Sequence, residues 1–131
     1  MRHFRFNKII RDKLPEIISQ GGIDVVYKNI EGKDLLKKLK DKLLEETQEA
    51  VSSVGQLQIM EELADILEVI HGICFTMQVD IDTIEELRRE KFDKRGGFHN
   101  GVYVDRVSVK DDSTMLAFYL DQPDKYPEIE T

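Results

Sequence analysis

Apolar residues recur at helical spacing through most of the chain. From Asp34 onward, Leu36, Leu39, Leu43, Ala50 and Val54 fall on one stripe, which predicts a long helix. The stretch SSVGQ breaks that pattern. Ile59, Leu63, Ile66, Ile70, Cys74 and Met77 then line one face of a second long helix that ends near VDID. Asp82 is placed to cap a further helix, IEELRREKFDKR, which Gly96-Gly97 terminates. A shorter helix precedes all of these, with Asp12 three positions before Pro15 at its start and Gly21-Gly22 at its end. The pattern changes to β-branched and aromatic residues in IDVVYKNIEG and again in FHNGVYVDRVSV, where Asn100-Gly101 marks a turn. MLAFYL reads as a short strand or helix, and residues from about 120 to 131 read as a loosely ordered tail. The expectation is one all-α domain over residues 1–131: a four-helix-bundle-like core, with short extended pieces near the N-terminus and after the fourth helix.

Two acidic stretches interrupt the apolar faces, LLEETQEA at 43–50 and IMEELADI at 59–66. At about 100° per residue, Glu46 borders the apolar arc of the first long helix and Glu49 lies further round. On the second, Glu62 falls between Val69 and Ile73, inside the arc, and Asp65 just outside it. Folding the two helices together at Gly55 brings Glu49 to the height of Glu62, and Glu46 to that of Asp65. Either stretch alone reads as the solvated face of a helix rich in Glu and Lys. Together they set carboxylates against apolar surface, where they lose hydration unless a positive charge compensates them. A set of acids without histidine suits a hard, oxygen-seeking cation, Mg²⁺ with Mn²⁺ as a possible substitute, and leaves positions open for substrate phosphates. Glu45 and Glu61 point away from the apolar stripes.

Composition narrows the choices. The 131 residues are 40% hydrophobic and 34% charged with three prolines, a globular and helix-leaning balance. A formal net charge of −7 speaks against binding a nucleic-acid polymer, though metal ions held by acids can still bring a phosphorylated small molecule to the surface. No run of apolar residues approaches a membrane span, and the first residues are too charged for a secretory signal, so a cytoplasmic protein is expected. Cys74 is the single cysteine, read as a small buried apolar residue.

Glu45-Glu46-x-x-Glu49, twelve residues, then Glu62-x-x-Asp65 resembles the EExxE and ExxD signature of the all-α nucleoside triphosphate pyrophosphohydrolases, the MazG-like superfamily that includes phosphoribosyl-ATP pyrophosphohydrolase and dimeric dUTPases. NKIIRDKLPEII, KFDKRGGF and QPDKYPEI are similar to a small single-domain branch associated with clearing unwanted nucleotides. The resemblance implies a MazG-type helical core and hydrolysis of a nucleoside triphosphate between its α and β phosphorus atoms, giving a monophosphate and pyrophosphate. It implies that Glu46, Glu49, Glu62 and Asp65 ligate Mg²⁺, and that Glu45 orients or deprotonates the attacking water or supports the ligands. It also implies a homodimer or homotetramer, which agrees with apolar positions spread around much of the two long helices.

Five cations are candidates for substrate phosphates. Lys91, Lys94 and Arg95 lie beside the Gly96-Gly97 turn, where they serve equally as favourable charges at a helix C-terminus. Arg11 and Lys13 in RDKLP have the same two readings. His71 reads as a core-edge residue, and Phe92, Phe98, Tyr103 and Phe118 as core. Two other functions stay open: hydrolysis of phosphoribosyl-ATP in histidine biosynthesis, and a non-catalytic helical interaction or metal-binding module.

Overall fold

The structure, a computed structural model, describes residues 1–130; Thr131, the end of the expected tail, lies outside them. Five helices follow in order: α1 (Leu14–Gln20), α2 (Gly32–Ser52), α3 (Gln56–Thr76), α4 (Ile81–Arg95) and α5 (Leu116–Leu120). Among the described residues there is no strand. The all-α expectation holds, whereas residues 23–30 and 98–110 run without sheet pairing, since β-propensity alone supplies no partner edge for their N–H and C=O groups.

Local chemistry sets most helix ends. Pro15 occupies the first turn of α1, where its missing N–H costs nothing. Gly55 takes φ 99° between α2 and α3, a conformation that glycine adopts without a steric penalty, and this permits the abrupt reversal. At the start of α4 the side chain of Asp80, not Asp82, accepts a hydrogen bond from the Asp82 N–H at 2.9 Å. The cap therefore sits two residues earlier than the sequence suggests. MLAFYL contributes the short helix α5.

The chain divides into two compact units, one covering Met1–Lys94 and the other beginning at Arg95. In the first, α2 and α3 form an antiparallel hairpin and are the one pair of described helices in extensive contact. Leu39, Val69 and Cys74 are buried in this unit. A methyl group on Gly72 would meet the Leu39 side chain at 3.4 Å, so α3 packs closely on α2 at this point. The apolar stripes are only partly covered: Val54, Leu57, Leu67 and Phe75 remain 87%, 70%, 58% and 85% exposed. Ile59, Leu63 and Met77, expected on the inward face of α3, are also exposed. The covered face of α3 runs through Glu62, Ile66, Val69, Ile73 and Cys74, which keeps Ile66 and Cys74 of the expected stripe and the expected place of Glu62.

In the second unit the rings of Phe118, Tyr119 and Tyr126 cluster at centroid separations of 5.1 to 5.8 Å. The Lys125 and Tyr126 N–H groups donate to the Gln122 carbonyl, so the start of the tail turns back on α5. No described helix is long and apolar enough to cross a membrane.

Candidate metal centre

The reversal at Gly55 stacks the last turns of α2 against the first turns of α3, and three acids converge there. Glu46, Glu49 and Glu62 each present one carboxylate oxygen, and these oxygens lie within 4.8 Å of one another. Glu46 is buried, Glu62 half-buried and Glu49 exposed, so the group lies at the edge of the hairpin's apolar seam. Glu46 Oε2 and Glu62 Oε2 are buried without a hydrogen-bond partner. An orphaned buried carboxylate oxygen is costly, of order 1–3 kcal/mol and more when charged, so such an arrangement persists where another group completes it. Glu62 registers the strain most clearly. Its carboxyl is pushed up to about 7, first by loss of hydration and then by the neighbouring Glu49 and Glu46 carboxylates. The chemistry fits a hard cation: the three side chains offer only oxygens, and apart from a proton shared among the acids themselves nothing reaches Glu46 Oε2 or Glu62 Oε2.

The adjoining acids are treated differently. Glu45, expected to face solvent, accepts hydrogen bonds from Lys8 at 3.2 Å and Lys42 at 3.5 Å. Burial acts to raise its carboxyl, but the two ammonium groups outweigh that and hold it below the usual glutamate value. Lys42 also reaches Glu46 Oε1 at 3.2 Å. Burial pulls the Lys42 ammonium down, and the Glu46 and Glu45 carboxylates more than reverse this. Asp65, placed by the sequence with the other three ligands, does not join them: its Oδ1 accepts from Arg11 Nη2 at 2.6 Å. The arginine lies in the N-terminal segment, which thereby ties to α3, while Lys8 ties the same segment to α2.

Of the other candidate cations, Lys13 is exposed just ahead of α1, and Lys91, Lys94 and Arg95 are exposed on α4. None of them forms an ion pair among the described residues. His71 is exposed, Cys74 is buried and free, and the four aromatics read as core are exposed, Phe98 and Tyr103 almost fully and Phe92 and Phe118 by about half. Sequence reasoning missed Lys8 and Lys42. Lys42 carried a signal, since it lies three and four residues before Glu45 and Glu46 on one helix. Lys8, thirty-seven residues from its partner, carried none.

Comparison with protein-family models, with curated proteins and with solved structures gives no match.

Proposed function

We propose that this chain is a divalent-metal-dependent nucleoside triphosphate pyrophosphohydrolase of the MazG-like type, cleaving between the α and β phosphorus atoms. The observation that carries this reading is the convergence of Glu46, Glu49 and Glu62 with two buried oxygens left unpartnered. The order and spacing of the acids along α2 and α3 support it.

In this reading Glu46, Glu49 and Glu62 hold Mg²⁺, or Mn²⁺ in its place, and Asp65 becomes the fourth ligand when Arg11 leaves it for a substrate phosphate. A metal bound there supplies charge neutralisation for the triphosphate and a more acidic water. Lys42, already on Glu46 Oε1, holds that carboxylate so that its second oxygen stays directed into the cluster. The two lysines hold the ionised form of Glu45 still more firmly than usual, which suits it to orient a water and to anchor Lys8 and Lys42. A carboxylate with a lowered pKa is a weak proton acceptor, so orientation is its main contribution. Arg11, Lys13, Lys91, Lys94 and Arg95 are the cations this reading offers to the phosphates, Arg11 being the one already beside the acids.

The four-helix core belongs to the same proposal, as does a homodimer or homotetramer. In their support, α2 and α3 leave Leu57, Leu67 and Phe75 uncovered, more apolar surface than a hairpin keeps wet at low cost. The test is pyrophosphate release from a panel of ribo- and deoxyribonucleoside triphosphates, standard and modified, with and without Mg²⁺. Magnesium-dependent release from one or a few is expected. Silence of the folded, metal-supplied protein across the panel defeats the reading.

A further inference from the structure

Beside the three-acid cluster, toward the N-terminus of α2, a cavity of about 170 Å³ opens between the N-terminal segment and the helix. That is far above the ~10–15 Å³ a single water requires. Its charged lining is Lys8 from the segment and Lys38, Asp41, Lys42 and Glu45 from α2. Three ammonium groups face two carboxylates, a local positive excess in a chain whose formal net charge is −7.

We propose that this cavity is a phosphate seat, taking the outermost phosphate of a polyphosphate whose inner part lies at the three-acid cluster. The assignment rests on the pyrophosphohydrolase reading for the second half of that statement, while anion binding by the lysines stands independently. Helical geometry makes the cavity and cluster neighbours. Lys38, Lys42, Glu45 and Glu49 follow at spacings of four, three and four, and so share one line down α2. From Lys42 to Glu49 the rise is about 10 Å at 1.5 Å per residue, a gap that linked phosphates can bridge.

The three lysines differ in what already holds them. Lys42 is shared between Glu45 and Glu46, and Lys8 is on Glu45. Lys38 has no carboxylate partner among the described residues. Asn7 at the lip of the cavity takes φ 48°, the left-handed conformation that asparagine tolerates better than most residues, immediately before Lys8. A phosphate in the cavity gives Lys38 its counter-charge and adds a second acceptor for Lys8. Nucleoside triphosphates and free pyrophosphate share that chemistry.

The experiment is calorimetric titration of the full chain with inorganic pyrophosphate, with and without Mg²⁺, for the unaltered protein, Lys38→Gln, Lys8→Gln, the double variant and Lys38→Arg. Each loss of an ammonium should weaken pyrophosphate binding about tenfold, the usual scale for one hydrogen bond to a charged group. Lys38→Arg should retain binding, and thermal stabilisation by Mg²⁺ alone should be unchanged in Lys38→Gln. Equal affinity for pyrophosphate in the unaltered and double-variant chains overturns the seat. If the double variant does not fold, Lys38→Gln decides alone, because that side chain is exposed and bonds to no neighbour. Failure of the seat and failure of the hydrolase reading look different. Hydrolysis with an unaltered KM in the lysine variants removes the seat and spares the activity. Lysine-dependent pyrophosphate binding with no turnover of any triphosphate removes the activity and spares the seat.

Discussion

Glu45 and Glu46 are adjacent on α2, yet the acids around them fall into two groups with opposite electrostatics. Glu45 and Asp65 are met by cations of the chain itself: Lys8 and Lys42 on one, Arg11 on the other. Glu46, Glu49 and Glu62 are gathered against one another, with buried oxygens unpartnered and the Glu62 carboxyl raised to about 7. Lys42 reaches Glu46 as well as Glu45, whereas Glu49 and Glu62 have no ion pair among the described residues. Carboxylates gathered with so little compensation are what the proposed metal would complete. The difference between the groups teaches more than the acids' number, because exposed acidic helices are common and three converging carboxylates with one lysine among them are not.

The comparison breaks most visibly under substitution of the trio. Glu49→Gln and Glu62→Gln should each lower Mg²⁺-dependent pyrophosphate release by more than about 100-fold, since even groups that merely support metal ligands cost 10–100-fold. The same variants should lose thermal stabilisation by Mg²⁺, which for the unaltered chain amounts to about 2.7 kcal/mol at one hundred times Kd. Exposed Glu61 is the matched control, and Glu61→Gln should leave both readouts in place. A Mg²⁺-dependent melting shift that survives Glu62→Gln contradicts the metal centre.

The trio is largely legible in the sequence, and the reason is periodicity. Glu62 among Val69 and Ile73, and the matched distances of Glu49 and Glu62 from Gly55, are properties of two helices and one turn. The paired acids were not legible, because Lys8–Glu45 and Arg11–Asp65 join positions 37 and 54 residues apart through a segment without regular structure. The ends and one edge of the α3 stripe, Ile59, Leu63 and Met77, are exposed for a related reason. Leu63 and Met77 are as hydrophobic as Val69, and only the way α2 lies against α3 decides which are covered. Of the two readings of IDVVYKNIEG, strand or extended connector, the strand is not formed, because a strand needs a neighbouring edge that a single segment cannot encode.

Acidity sharpens the comparison without altering its groups. The Glu62 carboxyl, ordinarily near 4.5, titrates at about 7 in the folded chain. The folded state therefore keeps a proton that the unfolded state releases, and metal-free stability should decline as pH rises from about 4.5 to about 7, then level off. Glu62→Gln should flatten that decline and leave the variant more stable than the unaltered chain above pH 7. Mg²⁺ competes with the same proton, so its stabilising effect should grow across the same window. Melting curves from pH 4 to 8, with and without Mg²⁺, measure both trends. An unchanged profile in Glu62→Gln would show that the raised carboxyl belongs elsewhere.

The smallest effect probes the other group. The Arg11 and Asp65 side chains are 57% and 38% exposed, so their ion pair should contribute no more than about 1 kcal/mol to folding. Arg11→Ala ought to shift the melting temperature only slightly, but its consequences for ligands should carry opposite signs. Freed from the arginine, Asp65 is available to the trio, and Mg²⁺ should bind up to about fivefold more tightly in the absence of nucleotide. The nucleotide loses a cation, and its KM should rise. If Mg²⁺ binding weakens instead, Arg11 holds Asp65 in its working position rather than withholding it, and the two groups of acids form one site. Mg²⁺ titration of Arg11→Ala, followed by melting temperature and by triphosphate kinetics, separates these outcomes because a purely structural loss would depress every readout together.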